Sequence, residues 1–459
     1  MSEQTHPFTN RAQWIIYSML LFACFLLFKQ SDLTHTYTSS YAYLNGHFAD
    51  FYDYNKVYLG GNDYLPLLYA IFAIWFIPLK ALDLLPISIG SSWQATSAVE
   101  IVWAKLLLTI FFVACLMQLR RLTHALGVKK VQGDEVAALF ATSPFVIFAV
   151  FIFSQYDIIS VYFVLLGLVA YFQRRFLKFV FWFSLAISLK YFAIIIFVPL
   201  LLMIEKRIKY LVIYFLAALV PTLVQIALYW HSDIFLGEIF TLAGGKAGDA
   251  LGRGAAVLMA GLYALLCIYA FFKKMDFEHQ KLFWHLLAIF SSLFAYDLMF
   301  SIVRWHPHWL VIIAPFICLT YLYVGHKRTL IVIELLAYLG FMVICVNTWE
   351  GNADIAMAYQ GIFGGLLPNA TLIGRDVLSS KWMPLSRIAF YIYLYSPLLL
   401  LAFEAGIKKI KSKSMKIQVS SGQYQSSELT RCWFILRALV STSSFVLLLL
   451  ICIYLTPRV

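Results

Sequence analysis

One polar stretch, SDLTHTYTSSYAYLNGHFADFYDYNKVYLGGND from Ser31 to Asp63, gathers four carboxylates and two histidines in a chain that is 62% hydrophobic and 13% charged. Asp32, Asp50, Asp53 and Asp63 can serve there as general bases or cation ligands, and His47 can carry a proton or hold a polar substrate. Tyr41, Tyr43, Phe51, Tyr52, Tyr54, Tyr58 and Tyr64 suit stacking on sugar faces or anchoring at a lipid interface. Asp32 stands at the end of the first apolar run, and Asp157, in SQYDII, stands at another such end. A carboxylate in that position stays ionised at the mouth of a wet cavity, where it can take a proton from a hydroxyl. Interfacial solvation of a helix end is the plainer account of each acid taken singly.

Lys190 interrupts the apolar run SLAISLKYFAII. Inserted without a partner it costs about 2.5–3.5 kcal/mol, so it needs an anion: a substrate phosphate, Asp157 or Asp297. Arg304, His306 and His308 lie in RWHPHW between two tryptophans. A permanent cation and two imidazoles there can bind phosphate or sugar, while Trp305 and Trp309 fit a headgroup-level belt. Two histidines separated by one residue lack a third ligand at metal-site spacing. No Walker, Rossmann, HExxH or GxSxG pattern is present.

The elements that position these groups follow from hydropathy. A mean hydropathy of +0.81 over 459 residues, with apolar runs that repeatedly reach the about 20 residues of a bilayer crossing, predicts an all-α, polytopic transmembrane helical bundle. Continuous runs such as AAVLMAGLYALLCIYAFF exclude a membrane barrel of alternating strands. Expected spans lie near 13–29, 98–118, 135–153, 157–173, 177–204, 208–230, 255–272, 282–303, 309–325, 330–347, 386–405 and 434–455, with 64–85 as a further apolar segment. The net charge of +12 sits mostly in short connections, as the positive-inside rule expects, so no nucleic-acid partner is implied. The seven cysteines lie in or beside apolar segments and form no disulfide or metal pattern. Trp14 to Phe28 lacks a cleavage signature and is expected to stay as the first span.

Placing every basic cluster in the cytoplasm requires two adjustments. The segment 64–85 must lie on or dip into the outer leaflet, and 177–204 must go out and return as two short helices turning near Lys190 and Tyr191. The result is about 13 membrane segments in one integral membrane domain, 1–459. Its first extracytoplasmic loop is 30–97, with a surface helix at 64–85, and 406–433 is a cytoplasmic basic linker.

The order of these features resembles the GT-C superfamily of integral membrane glycosyltransferases. Asp32 follows the first span, Gly46 and a polar-aromatic segment come next, and YLPLLYAIFAIWFIPLKAL then starts at Tyr64. Later come SPFVIFAVFIFSQYDIISVYFVLLGL, SLAISLKYFAIIIFVPLLLM and HPHWLVIIAPFICL. The likeness covers the first 320 or so residues and is greatest to bacterial polyprenyl-phosphate-sugar enzymes related to the aminoarabinose and protein mannosyl transferases. It implies inverting transfer of a sugar from a polyprenyl-phosphate donor to a glycan, lipid or protein acceptor at the extracytoplasmic face of the plasma (inner) membrane. Asp32 and Asp157 take the catalytic positions, and Asp32 is the implied general base. Lys190, Arg304, His306, His308, Asp50, Asp53, His47 and Tyr52 are the candidate substrate-binding residues. Asp32 is followed by Leu33, where several relatives carry a second acid. The resemblance makes no cofactor certain and leaves a divalent cation (Mg or Mn) open. A transporter or flippase of lipid-linked glycans and a cell-surface polysaccharide polymerase are the competing functions.

Overall fold

In the computed structural model the described residues are 11–59, 64–85, 97–238, 252–274, 277, 279–303, 305–348, 375–412, 433 and 436–442. Of these, 84% are helical, and no β-strand occurs among them. The helices are α1 (Arg11–Leu27), α2 (Ser31–Ser39), α3 (Tyr41–Leu44), α4 (Phe51–Tyr58), α5 (Pro66–Ala81), α6 (Ala98–Ala125), α7 (Lys130–Thr142), α8 (Pro144–Ile147) and α9 (Asp157–Phe172). They continue with α10 (Phe176–Leu189), α11 (Ala193–Ile204), α12 (Ile208–Leu228), α13 (Gly252–Phe272), α14 (Lys281–Ile302), α15 (Leu310–Thr320), α16 (Lys327–Thr348) and α17 (Arg375–Ser412). A π-helical turn, Phe148–Ile152, follows α8, and a 3₁₀ turn, Pro307–Trp309, precedes α15.

Among the described residues five helices are long and apolar enough to cross a membrane: α6, α12, α14, and the stretches Lys327–Cys345 and Trp382–Glu404. The number rises to seven if two bent pairs each count as one span. The remaining apolar helices are short: α5, α9, α10, α11, Ala256–Phe272 and Pro307–Thr320. The protein is thus an all-helical chain with the character of a multi-pass membrane protein.

The chain divides into two compact units. The first holds α1, the end of α6, α7, α8, the π-turn, α15, α16 and α17. The expected span 135–153 is broken here, because Pro144 opens a new helix and a 54° bend separates Lys130–Thr142 from Pro144–Ile152. Proline has no N–H to donate and disfavours helical backbone in the residue before it, so the first helix ends at Thr142. The expected span 386–405 is part of a longer helix, α17, that runs to Ser412, into the segment assigned to a basic linker. The last expected span, 434–455, is described only at 436–442.

The second unit holds α2–α6 as far as Gln118, α9–α14 and the 3₁₀ turn. The expected run 177–204 divides at Lys190, whose backbone leaves the helix (φ −147°, ψ 105°). The two halves then find different neighbours: α10 packs on α9 and α12, and α11 on α13 and α14. Gly167 of α9 permits the α9–α10 approach, since a Cβ there would meet the Phe183 ring at 2.4 Å. The segment 64–85 contains α5, opened by Pro66 at its first turn. Trp75 of α5 and Trp103 of α6 each donate an indole N–H to the other's carbonyl, at 2.8 and 2.7 Å, with rings stacked 5.0 Å apart. That reciprocal bond ties α5 to α6 without a buried donor left over.

Candidate functional site

Three irregular pieces of backbone supply the central groups. Asp157 is the first residue of α9, where the helix dipole favours a carboxylate. It follows a turn in which Ser154 has φ +62°, a conformation that costs a non-glycine residue of order 1–3 kcal/mol and persists only where surrounding packing fixes it. Lys190 caps the C-terminus of α10, and His308 is the middle residue of the 3₁₀ turn.

These groups meet. Lys190 Nζ lies 2.7 Å from Asp157 Oδ1, and His308 Nε2 lies 3.2 Å from Asp157 Oδ2. Asp157 is 0%, His308 1% and Lys190 5% exposed. Desolvating a carboxylate is costly, and two nitrogen bases at ion-pair distance offset that cost here. Tyr156 OH lies 3.4 Å from Lys190 Nζ. The ammonium is also walled by rings, 4.9 Å from the centroid of Tyr156, 5.0 Å from Trp309, 5.8 Å from Tyr64 and 5.9 Å from Phe192. Rings at this range hold a cation in place through their negative faces. Phe153 packs on the His308 ring at 4.5 Å.

Asp32 belongs to the same neighbourhood. It sits in the first turn of α2, half-buried, with its N–H donated to the Gln30 side chain. It lies within electrostatic range of the Tyr156 hydroxyl. Unlike Asp157, it keeps a solvent-facing portion. His306 is half-buried, with its ring 5.5 Å from that of His308 and 5.2 Å from Trp309. Arg304 and Asp63 lie outside the described residues.

The loop residues divide differently. Tyr52 is wholly buried, donates its hydroxyl to Tyr64 O at 2.7 Å and packs against Tyr229 and Phe235. It supports the loop that carries Tyr64, whose ring meets Tyr156 at 4.8 Å. His47 and Asp50 form an exposed pair at 3.0 Å, and the His47 ring stacks on Tyr54 at 3.7 Å. Asp53 is half-buried in the first turn of α4. Among the described contacts none joins His47, Asp50 or Asp53 to Asp157, Lys190 or His308.

Other buried charges in this unit escaped the sequence reading. Lys29 and Glu100 are 5% and 1% exposed and attract one another. Lys105, within α6, is 1% exposed. Their signal was the same as for Lys190: a lone charge in or beside an apolar run. Asp297 of α14 is fully buried.

Among the described residues no cluster of three or more His, Cys, Asp or Glu side chains could hold a metal ion. At the candidate site the Asp157 carboxylate is engaged by Lys190 and His308. The cluster therefore places a carboxylate between two nitrogen bases, a geometry suited to holding or exchanging a proton, with a partly exposed acid in the same unit. No protein-family model matches the chain, and no curated protein matches it.

Proposed function

We propose that the chain is an integral membrane glycosyltransferase that moves a sugar from a polyprenyl-phosphate donor to a glycan, lipid or protein acceptor. The observation that carries this reading is the buried Asp157–Lys190–His308 cluster, with the partly exposed Asp32 within electrostatic range of the adjoining Tyr156. An acceptor hydroxyl oxygen attacks the anomeric carbon as the carbon–oxygen bond to phosphate breaks. Asp32 takes the hydroxyl proton, a contribution typically worth about 10² to 10⁴-fold. Negative charge builds on the departing phosphate, and Lys190 and His308 are the groups that compensate it. Asp157 bridges these two bases and positions them. His47, Asp50 and Asp53 fall on the acceptor side of the reading, with His306 on the side of the leaving phosphate.

The topology that accompanies this proposal has about 13 membrane segments, counting α5 as an outer-leaflet helix and α10 and α11 as an outward and a returning half. The N-terminus then faces the cytoplasm, and the site opens to the extracytoplasmic side of the plasma membrane. No cofactor is required by the steps above.

A second reading, a flippase for lipid-linked glycans, draws support from Lys29, Glu100 and Lys105, which add buried charge to the same unit as the broken α10–α11 run. Reconstitution with radiolabelled polyprenyl-phosphate sugars and a membrane extract separates the two. Sugar transfer that is lost in Asp32→Asn and kept in Asp53→Asn supports the enzyme. Translocation of the labelled lipid without transfer supports the flippase.

A further inference from the structure

We infer a second anion site, unrelated to the chemistry proposed above, at the polar end of α6. A cavity of about 390 Å³ is lined by Arg120, Thr123, His124, Val128, Lys130, Gly133 and Asp134. Its size falls within the range of small-ligand sites. The lining comes from the last turns of α6, the loop after it and the first turns of α7. Gly127 turns that loop with φ +79°, a backbone conformation that glycine adopts without strain. Gly133 keeps α7 close to α6, because a Cβ there would meet Thr123 Oγ1 at 2.4 Å.

The lining charge is predominantly basic. Asp134, its one acid, is bonded to Arg120 Nε at 2.8 Å, and Thr123 donates its hydroxyl to Arg120 O at 2.9 Å. Arg120 is thus held in place, while Lys130 and His124 are exposed at the cavity. Arg121 and Lys129 are exposed next to them in sequence. Fixed and mobile cations around a concave, half-open space match a phosphate group. The apolar body of α6 ends at these residues, so the cavity lies where lipid headgroups lie. Basic residues at that depth recognise anionic headgroups. The ligand is therefore a phosphate-bearing anion, and the headgroup of an acidic phospholipid is its nearest source.

Native mass spectrometry of the full-length protein in detergent tests this, with phosphatidylglycerol, phosphatidylcholine and inorganic phosphate as probes. Phosphatidylglycerol should be retained in preference to phosphatidylcholine. The Lys130→Gln/His124→Gln variant should retain it about fivefold less or weaker still, the effect of removing near-surface cations. Lys273→Gln/Lys274→Gln, a basic pair elsewhere, should match wild type. Both altered cavity side chains are exposed, and an unchanged melting temperature confirms that the variant folds. Displacement of the lipid by inorganic phosphate would assign the cavity to a free phosphoanion, and persistence of the lipid would assign it to the headgroup. Equal retention of the two lipids, or equal retention of phosphatidylglycerol by wild type and variant, would overturn the site.

Discussion

Glu334–Arg437 and Asp157–Lys190 are both ion pairs withdrawn almost wholly from solvent, yet their surroundings differ in kind. In the first compact unit, Arg437 reaches Glu334 Oε2 through Nε at 3.1 Å and spends Nη1 on Leu139 O and Thr142 Oγ1, at 2.9 and 2.8 Å. Ser143 donates to the other carboxylate oxygen at 2.7 Å. The pair ties α16 and the helical segment 436–442 to the end of α7, where Pro144 breaks the chain. Its polar capacity is used on groups that hold helix ends together. Asp157–Lys190 instead sits on a strained turn, a helix end and a 3₁₀ turn, with aromatic walls and a histidine. The contrast teaches that burial of charge alone does not mark a working site. Irregular backbone, a titratable partner and a partly exposed acid in the same unit are what make the Asp157 cluster the candidate.

The largest effect belongs to the structural pair. Glu334→Ala leaves Arg437 buried and uncompensated and should cost about 3–5 kcal/mol of stability, read as a large drop in melting temperature in detergent. The double variant Glu334→Leu/Arg437→Met should recover most of that loss, because two apolar side chains of similar volume need no partner. Failure to recover would mean that the pair does more than join helices.

Lys190→Met should act the other way round. Asp157 keeps His308, so the stability cost should be smaller, about 1–3 kcal/mol, while sugar transfer should fall by about 10² to 10³-fold as a compensating cation is lost. A comparable fall in stability and activity would place Lys190 with the structural pair. At the exposed loop, Asp50→Asn should change stability by less than about 0.5 kcal/mol, and any effect on transfer should appear in the acceptor KM.

The smallest effect lies in the connection between α11 and α12. Arg207 holds the Glu205 carboxyl down to about 2 through two side-chain hydrogen bonds, at 2.9 and 2.7 Å. A depressed carboxyl stabilises the fold at pH above its ordinary value, and that contribution fades as pH falls toward 2. Arg207 is largely exposed, so the contribution is modest. Melting temperatures of wild type and Glu205→Gln should differ slightly at neutral pH and converge below pH 4.5 toward pH 2.

Much of this contrast could be read from sequence, and the limits have physical causes. Lys190 stands out because a lone cation in an apolar run must find an anion, and the structure supplies Asp157, one of the partners expected. Division of 177–204 into two helices was also legible, since basic clusters flank a run too short for two full crossings. Glu334 and Arg437 obey the same rule, yet their pairing joins residues 103 positions apart, a fact no local pattern carries. Tyr156 carried no signal of its own in the sequence, and it is the turn at Ser154 that brings it against Lys190. Tyr52 looked like a sugar-stacking ring, but its hydroxyl and ring are both engaged within the fold. Hydropathy also overstated regularity in 135–153, where Pro144 divides a run that composition alone joins.

The most direct test measures sugar transfer and melting temperature side by side on Lys190→Met and on Glu334→Leu/Arg437→Met, in the same reconstituted vesicles. The account predicts that the first variant folds and fails to transfer, while the second folds and transfers at the wild-type rate. Wild-type transfer by folded Lys190→Met would contradict it.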